Sequence, residues 1–318
     1  DGRVATHAFP LDVPYAVRRF FREAAPRLLV LVETELWPFV LLEAARQRVP
    51  VLLVNGRISE RSTLRLSRLQ VWLKDALGAI TRVAARTPAD AARFLELGLP
   101  ESRVFVGGDL KYDKPLAEEP AFAPELSRLA NGRPVVVAGS FANGEIPLFL
   151  DALDALPGVF AVIAPRQPAT FDAVSALVSA RFPTARRSAI AEAPGDPRVL
   201  ILDSLGELAG TYRLGDVAVL GGTFEDRGGH DVLEPLRAER PVILGPSDRN
   251  LGHALREAPA AIFRVPRDAG ALAARITELL ANDGLRLAAA EDARALFARN
   301  QGAASRAARA ARELLSPA

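Results

Sequence analysis

Apolar residues along this chain fall into short, solidly hydrophobic runs, separated by longer stretches in which they recur every three or four positions. The runs at 28–32, 49–54, 82–85 and 103–106 have the length and content of strands buried on both faces, as in a parallel sheet. Between them, 36–48, an amphipathic stretch ending near residue 77, and 89–97 read as helices, the last closed by Gly98. Strands alternating with helices at this spacing predict a doubly wound α/β domain. Only four strands are visible here, fewer than such a domain usually has, so further strands are expected ahead of residue 1. Residues 114–132, rich in proline and glycine, read as a linker. The alternation then restarts, with strands at 134–138, 159–164, near 185, 198–202, 216–220 and 241–244. Its helices fall at 146–156, 171–180, 205–213 and 232–238. Alanine- and arginine-rich helices in 267–318 should pack on this second sheet and can reach back over the first domain. The expected organisation is therefore 1–113, a linker at 114–132, and a second domain at 133–318.

At the front, 12–25 carries Val13, Val17, Phe20 and Phe21 at helical spacing, with Arg18, Arg19 and Arg22 on the polar side. Such a face suits anionic lipid headgroups, and equally a plain solvated surface. Composition narrows the chemistry. The 318 residues are 49% hydrophobic and 25% charged, with a formal net charge of +2, which is the balance of a globular protein with a core. No charged tail points to nucleic acid. Cysteine is absent and histidine occurs only at His7, His230 and His253, so thiolate chemistry and imidazole-rich metal sites are not expected. No apolar run reaches the roughly 18 residues of a membrane-spanning helix. Methionine is missing even at position 1, as expected of a chain with its beginning removed.

Chemistry concentrates where strands end. The run at 216–220 leads into Gly221-Gly222-Thr223-Phe224-Glu225-Asp226-Arg227-Gly228-Gly229-His230-Asp231-Val232-Leu233-Glu234-Pro235. Paired glycines let a backbone approach a ligand, and a helix start after them offers amides to an anion. Asp231 and Glu234, three apart, would share one face of that first turn and hold ribose hydroxyls better than phosphate. A glycine-rich turn with a capping aspartate accounts for the bare glycine pair as well. Other strand ends carry Gly139-Ser140, Pro165-Arg166, Asp203-Ser204 with Gly206-Glu207, and Gly245-Pro246; in open α/β sheets ligands bind at this edge. Arg166 can meet a phosphate, and Lys111 can add a second positive charge to a leaving phosphate. In the first domain, Glu33-Thr34-Glu35-Leu36-Trp37-Pro38 occupies the equivalent edge. Phosphate-loop, dinucleotide and Asp-x-Asp metal motifs are absent, so phosphate charge would be met by side chains and helix ends. Two Rossmann-like domains in succession fit a nucleotide-bound donor on one and an acceptor on the other.

Five motifs occur in order: Glu33 to Pro38, Gly56-Arg57-Ile58-Ser59-Glu60-Arg61-Ser62, Leu110-Lys111-Tyr112-Asp113, Leu205-Gly206-Glu207-Leu208, and Arg227 to Pro235. With them the chain resembles the 3-deoxy-D-manno-octulosonic acid (Kdo) transferases of lipopolysaccharide synthesis over essentially its whole length. The resemblance implies the GT-B glycosyltransferase fold. It also implies transfer of Kdo from CMP-Kdo to the lipid A precursor (lipid IVA) at the cytoplasmic face of the bacterial inner membrane, with neither metal nor cofactor. The expected partners are donor, acceptor and membrane surface. Carried over by position, Glu33 and Lys111 would stabilise the transition state. CMP would be held by Pro165 and Arg166, by Leu205, Gly206 and Glu207, and by Asp231, Val232, Leu233 and Glu234. The chain departs from the family's pattern at Asp231, usually asparagine, at Gln167, usually histidine, and at Ser140-Phe141-Ala142, usually Ser-Thr-His. The family's general base lies in a Ser-Val-Gly-Glu segment that does not occur here, so this chain alone is expected to bind CMP without transferring sugar. A GT-B enzyme using a UDP-sugar, a sugar-nucleotide epimerase and a non-catalytic nucleotide-binding module are the alternative readings.

Overall fold

The computed structural model describes residues 4–68, 70–193 and 195–316, with the side chains of 67, 68, 70–73, 252 and 253 excepted. The chain divides into two compact units, Asp1–Lys114 with Asn300–Ala318, and Pro115–Arg299.

In unit 1, α1 (Pro14–Ala24) precedes β1 (Leu29–Val32), α2 (Pro38–Arg46), β2 (Val51–Gly56), α3 (Glu60–Arg68), α4 (Gln70–Gly78), β3 (Arg82–Ala85), α5 (Pro88–Glu96) and β4 (Val104–Val106). Among the described residues these strands form a parallel four-stranded sheet in the order β1-β2-β3-β4. The amphipathic stretch expected up to about residue 77 is helical on both sides of residue 69, which lies outside the described set, as α3 and α4. One sheet face packs Leu31, Val51, Leu53, Val83 and Ala85 against α1, α2 and α5 through Val17, Phe21, Val40, Leu41 and Phe94. Arg18 and Arg19 on α1 pair with Glu43 and Glu23, so part of the expected basic face is neutralised internally.

Unit 2 opens with α6 (Ala123–Ala130), inside the stretch expected as a linker. There follow β5 (Val135–Phe141), α7 (Ile146–Asp154), β6 (Phe160–Pro165), α8 (Phe171–Ser179), β7 (Thr184–Arg186) and β8 (Val199–Ile201). The next elements are α9 (Leu208–Thr211), β9 (Val217–Leu220), α10 (Leu233–Arg237), β10 (Val242–Leu244), α11 (Gly252–Glu257), β11 (Ile262–Arg264), α12 (Ala269–Ala281) and α13 (Asp283–Asn300). The strands are parallel, in the order β11-β10-β9-β5-β6-β8-β7. Those at the centre are buried along their length, apart from Ser140 near the end of β5, which explains why they read as unbroken apolar runs. The sequence pattern did not reveal β11, whose residues Ile-Phe-Arg are only partly buried and end on an exposed arginine.

The last helix, α14 (Ala303–Leu315), belongs to unit 1, not to the second domain as its position in the chain implied. Its apolar stripe supplies the reason. Ala307 and Ala310, with Ala311 and Leu314, cover Leu52, Val54 and Phe105 on the sheet face that α1, α2 and α5 leave open. Among the described residues no helix is long and apolar enough to cross a membrane.

Asp90 on α5 holds the loop that carries the second motif. Its carboxylate is 3% exposed, accepts from the amide of Ile58 at 3.2 Å and pairs with Arg93 and Arg86. Asp90→Ala is expected to destabilise unit 1 by about 2–3 kcal/mol in urea unfolding, since it strands a buried amide and two partly buried arginines. A loss below about 0.5 kcal/mol would contradict this assignment.

Candidate active site

The sheet order of unit 2 gathers the expected CMP contacts. Strands β9, β5, β6 and β8 are successive neighbours, and their C-terminal ends with the loops beyond them carry Asp231 to Glu234, Ser140, Pro165-Arg166 and Leu205 to Glu207. Pro165 is buried as the last residue of β6, and the Arg166 side chain reaches solvent immediately after it.

The group that shapes this edge is Glu145, which the sequence analysis passed over. Its side chain is fully buried just before α7. One carboxylate oxygen accepts from the amides of Ala142 and Gly222, both at 2.8 Å. The other accepts from Phe224 at 2.8 Å and Glu225 at 3.3 Å. A buried carboxylate normally requires a cation; here backbone amides from two loops satisfy it instead. The two loops are drawn so close that a Cβ at Gly221 would lie 2.4 Å from the Ser140 carbonyl oxygen. This is the steric reason for glycine there.

From this anchor the signature loop continues inward. Gly229 N donates to Gly222 O at 2.8 Å, which folds the second glycine pair onto the first. His230 then lies beside Gly222, and its Nε2 is buried without a hydrogen-bond partner. Burial first, and the Arg166 guanidinium second, lower the His230 pKa, with Glu145 and Asp231 opposing; the ring is held neutral near pH 7. The Arg166 charge is therefore felt at the glycine loop. Burial also raises the Tyr212 hydroxyl pKa, aided by the Glu234 and Asp231 carboxylates.

The helix turn expected to carry Asp231 and Glu234 together starts later than the sequence implies. α10 begins at Leu233, and Asp231 sits before it, accepting from the Leu233 amide at 3.0 Å. The carboxylate thus occupies an amide that the sequence reading had offered to an anion, and the helix has only five residues.

Glu207 is likewise committed. Arg187 donates to both of its oxygens, at 2.9–3.3 Å, and the Ser204 hydroxyl adds a further hydrogen bond. Burial acts to raise its pKa, but the Arg187 and Ser204 hydrogen bonds outweigh it and hold the carboxyl below its ordinary value. Arg187 also lies 4.6 Å from the centre of the Phe122 ring. Neither arginine nor phenylalanine carried a sequence signal, because both act from elements remote in the chain.

In unit 1, Glu33 ends β1 with φ 66° and pairs with Arg57 at 3.0 Å. Lys111 lies in a 3-10 turn, Leu110–Asp113, beyond β4. Both stand at the C-terminal end of the sheet beside β2: the Glu33 amide donates to Val54 O at 2.9 Å, and the turn carrying Lys111 folds back from β4 so that the Leu110 amide donates to Asn55 Oδ1 at 3.1 Å. Glu35, the second carboxylate of the first motif, accepts from the Trp37 indole at 2.7 Å.

A cavity of about 400 Å³ lies at the other end of unit 2, where Pro134, Val135 and Asp216 begin their strands. Its charged groups are already engaged with backbone: Arg133 with the Leu129 and Ala130 carbonyls, Arg286 with those of Leu279 and Leu280, Asp216 with the Val135 amide. It is a seam between helices and strands, remote from the residues above.

Two outcomes follow from this geometry. Glu145→Ala leaves amides from both loops without an acceptor and should destabilise unit 2 by about 3 kcal/mol or more, read by urea unfolding. A cost under about 1 kcal/mol would contradict the anchoring role. Because the folded-state pKa of Glu207 is lowered, its contribution is complete above its unfolded value near 4.5 and is lost as pH falls through the folded value. The drop in stability below about pH 4.5 should therefore be shallower in Glu207→Gln than in the unaltered protein; identical acid limbs would contradict it.

Comparison with known proteins places these features in a family. Residues 1–114 match the family described as 3-Deoxy-D-manno-octulosonic-acid transferase (kdotransferase). The chain is 37% identical over 316 residues to the 3-deoxy-D-manno-octulosonic acid transferase of Bordetella pertussis, covering 96% of this chain and 73% of that one. It spans only 53–57% of several other curated relatives. Among solved structures it is similar to the C-terminal CMP-Kdo binding domain of WaaA from Acinetobacter baumannii, with 26% identity and a TM-score of 0.51, covering 56% of this chain and 98% of that one. A glycosyltransferase from Rickettsia africae shares the fold over 99% of this chain and 85% of its own, with a TM-score of 0.60 at 14% identity. The fold is thus the α/β GT-B class, and the chain belongs to the 3-deoxy-D-manno-octulosonic-acid transferase family of glycosyltransferases.

Proposed function

We propose that this chain supplies the donor-binding and transition-state-stabilising residues for transfer of Kdo from CMP-Kdo to the lipid A precursor, lipid IVA, at the cytoplasmic face of the bacterial inner membrane. The observation that carries the donor half is the likeness to a domain that binds CMP-Kdo, over a share of the chain close to that of unit 2. It is supported by the strand ends of unit 2, where Arg166, the Glu145-anchored glycine loop and Glu234 occupy neighbouring positions.

In this reading an acceptor hydroxyl oxygen attacks the anomeric carbon of Kdo, its proton passing to a general base or to water, as the bond from that carbon to the CMP phosphate oxygen breaks. The leaving CMP gains negative charge, which Arg166 and Lys111 offset, and Glu234 accepts hydrogen bonds from ribose hydroxyls. Glu33 faces the positive charge that develops on the sugar ring, its own carboxylate steered by Arg57. Pro165, Leu205, Gly206, Asp231, Val232 and Leu233 shape the nucleotide pocket. The role of Glu207 narrows: with both carboxylate oxygens engaged by Arg187 and Ser204, it contributes through its backbone and through the loop it fixes.

Calorimetry with CMP, UMP, UDP and GDP tests the donor assignment. CMP should bind most tightly, and Arg166→Ala should weaken it by about 1.5–3 kcal/mol, the scale of a hydrogen bond to a charged group. Preference for UDP, or unchanged CMP affinity in a folded Arg166→Ala protein, would favour a UDP-sugar enzyme or epimerase on the same fold. In the enzyme assayed with CMP-Kdo and lipid IVA, Lys111→Ala should lower kcat far more than it raises the donor KM. An effect confined to KM would make Lys111 a ground-state contact.

A further inference from the structure

We propose that Asp113 is a positioning residue for Lys111, and that the C-terminal helix α14 is the brace through which it acts. This rests on the reading of Lys111 as a group that stabilises the transition state. Lys111 occupies a turn of four residues, Leu110–Asp113, with a backbone held on both sides. Upstream, Asn55 Oδ1 accepts from the Leu110 amide at 3.1 Å, and Asp109 Oδ1 accepts from the Lys111 amide at 3.0 Å. Asn55 is buried at the end of β2 with φ 55°, a strained conformation kept only where its surroundings enforce it.

Downstream, the tie comes from a segment nearly two hundred positions away. The Asp113 carboxylate accepts from the Gly302 amide at 2.6 Å through one oxygen and from the Ala304 amide at 2.5 Å through the other. It therefore caps the first turn of α14, where unsatisfied amides and the helix dipole favour a negative charge. Arg306, one turn further on, donates to the Gly107 carbonyl at 2.8 Å, at the exit of β4. Its guanidinium lies so close to the chain there that a Cβ at Gly108 would come within 2.7 Å of it. Leu110 packs against the cluster of Leu52, Val54, Ala307 and Ala310 beneath the helix. The turn is thus held at its start by the sheet and at its end by α14. Without the second tie Lys111 keeps its charge and its upstream contacts but loses a fixed direction. Misplacement of a catalytic group by about 1 Å costs on the order of a hundredfold in rate.

The test is a double-mutant cycle on the enzyme that transfers Kdo, with CMP-Kdo and lipid IVA as substrates. Asp113→Asn is expected to lower kcat about tenfold or more, with donor KM and CMP affinity changed less than about twofold. In the Lys111→Ala background the same substitution should add less than about a twofold further loss, because it removes the position of a group already gone. Arg306→Gln, which leaves Asp113 intact, should lower kcat in the same direction and keeps the test open if Asp113→Asn does not fold. Unchanged kcat in both single variants overturns the proposal, as does an equal loss from Asp113→Asn whether or not the Lys111 side chain is present. If Lys111→Ala itself leaves kcat unchanged, the assignment of Lys111 fails, and the positioning role falls with it. Loss of CMP binding in Arg166→Ala would stand apart from that result, since it reports on unit 2.

Discussion

The second unit is organised around one buried carboxylate. Glu145 takes amides from the segment that ends β5 and from the glycine loop that ends β9, and so joins the two neighbouring strands at the edge where ligands bind in open α/β sheets. Its charge is balanced by oriented backbone dipoles, which must be supplied by a particular loop geometry. This explains why the loop cannot carry a side chain at Gly221 and why its second glycine pair folds back onto Gly222. Other features of the edge are consequences: the neutral His230, the Arg166 charge felt beside it, and the commitment of Asp231 to the Leu233 amide.

Unit 1 solves a related problem by different means. Its strand ends carry non-glycine residues in left-handed conformation, Glu33 and Asn55, with a register shift beyond Leu53. A bulge of this kind re-aims a side chain at the end of a strand. β5 in unit 2 does the same at Ser140, where its pairing with β6 also shifts. In both sheets the irregularity falls at the edge that carries the candidate chemistry, and the rest of each strand is regular. The C-terminal helix completes unit 1 by covering a sheet face with small alanines that let it lie close.

Much of the scaffold was legible because it rests on local pattern. Most parallel strands read as solid apolar runs, and every described strand but β11 was located in the sequence, β7 only as a short strand near Ala185. β11 was not, since Ile262-Phe263-Arg264 is only partly buried and ends on an exposed arginine, so no solid apolar run marks it. The placement of α14 was only half legible. Its alanine stripe announced a helix that packs tightly, but which sheet it covers depends on which face lies open, and that is a property of the folded unit. Glu145 and Arg187 were invisible for a stronger reason. Their partners lie about 20 to 80 positions away, and an isolated Glu or Arg in a polar stretch has the same appearance whether it is solvated or buried. The motif residues themselves were placed correctly at strand ends, yet two of their carboxylates, at Asp231 and Glu207, turned out to serve the protein's own backbone and side chains.

The central claim is that the glycine-loop edge of unit 2, shaped by Glu145, is where CMP binds. A crystal structure of the protein soaked with CMP tests it most directly. The account predicts the CMP phosphate beside Arg166, with the nucleotide lying along the ends of β6, β8 and β9 between Leu205 and Glu234. CMP bound instead in the cavity at the opposite end of unit 2, among Arg133, Asp216 and Arg286, would contradict it.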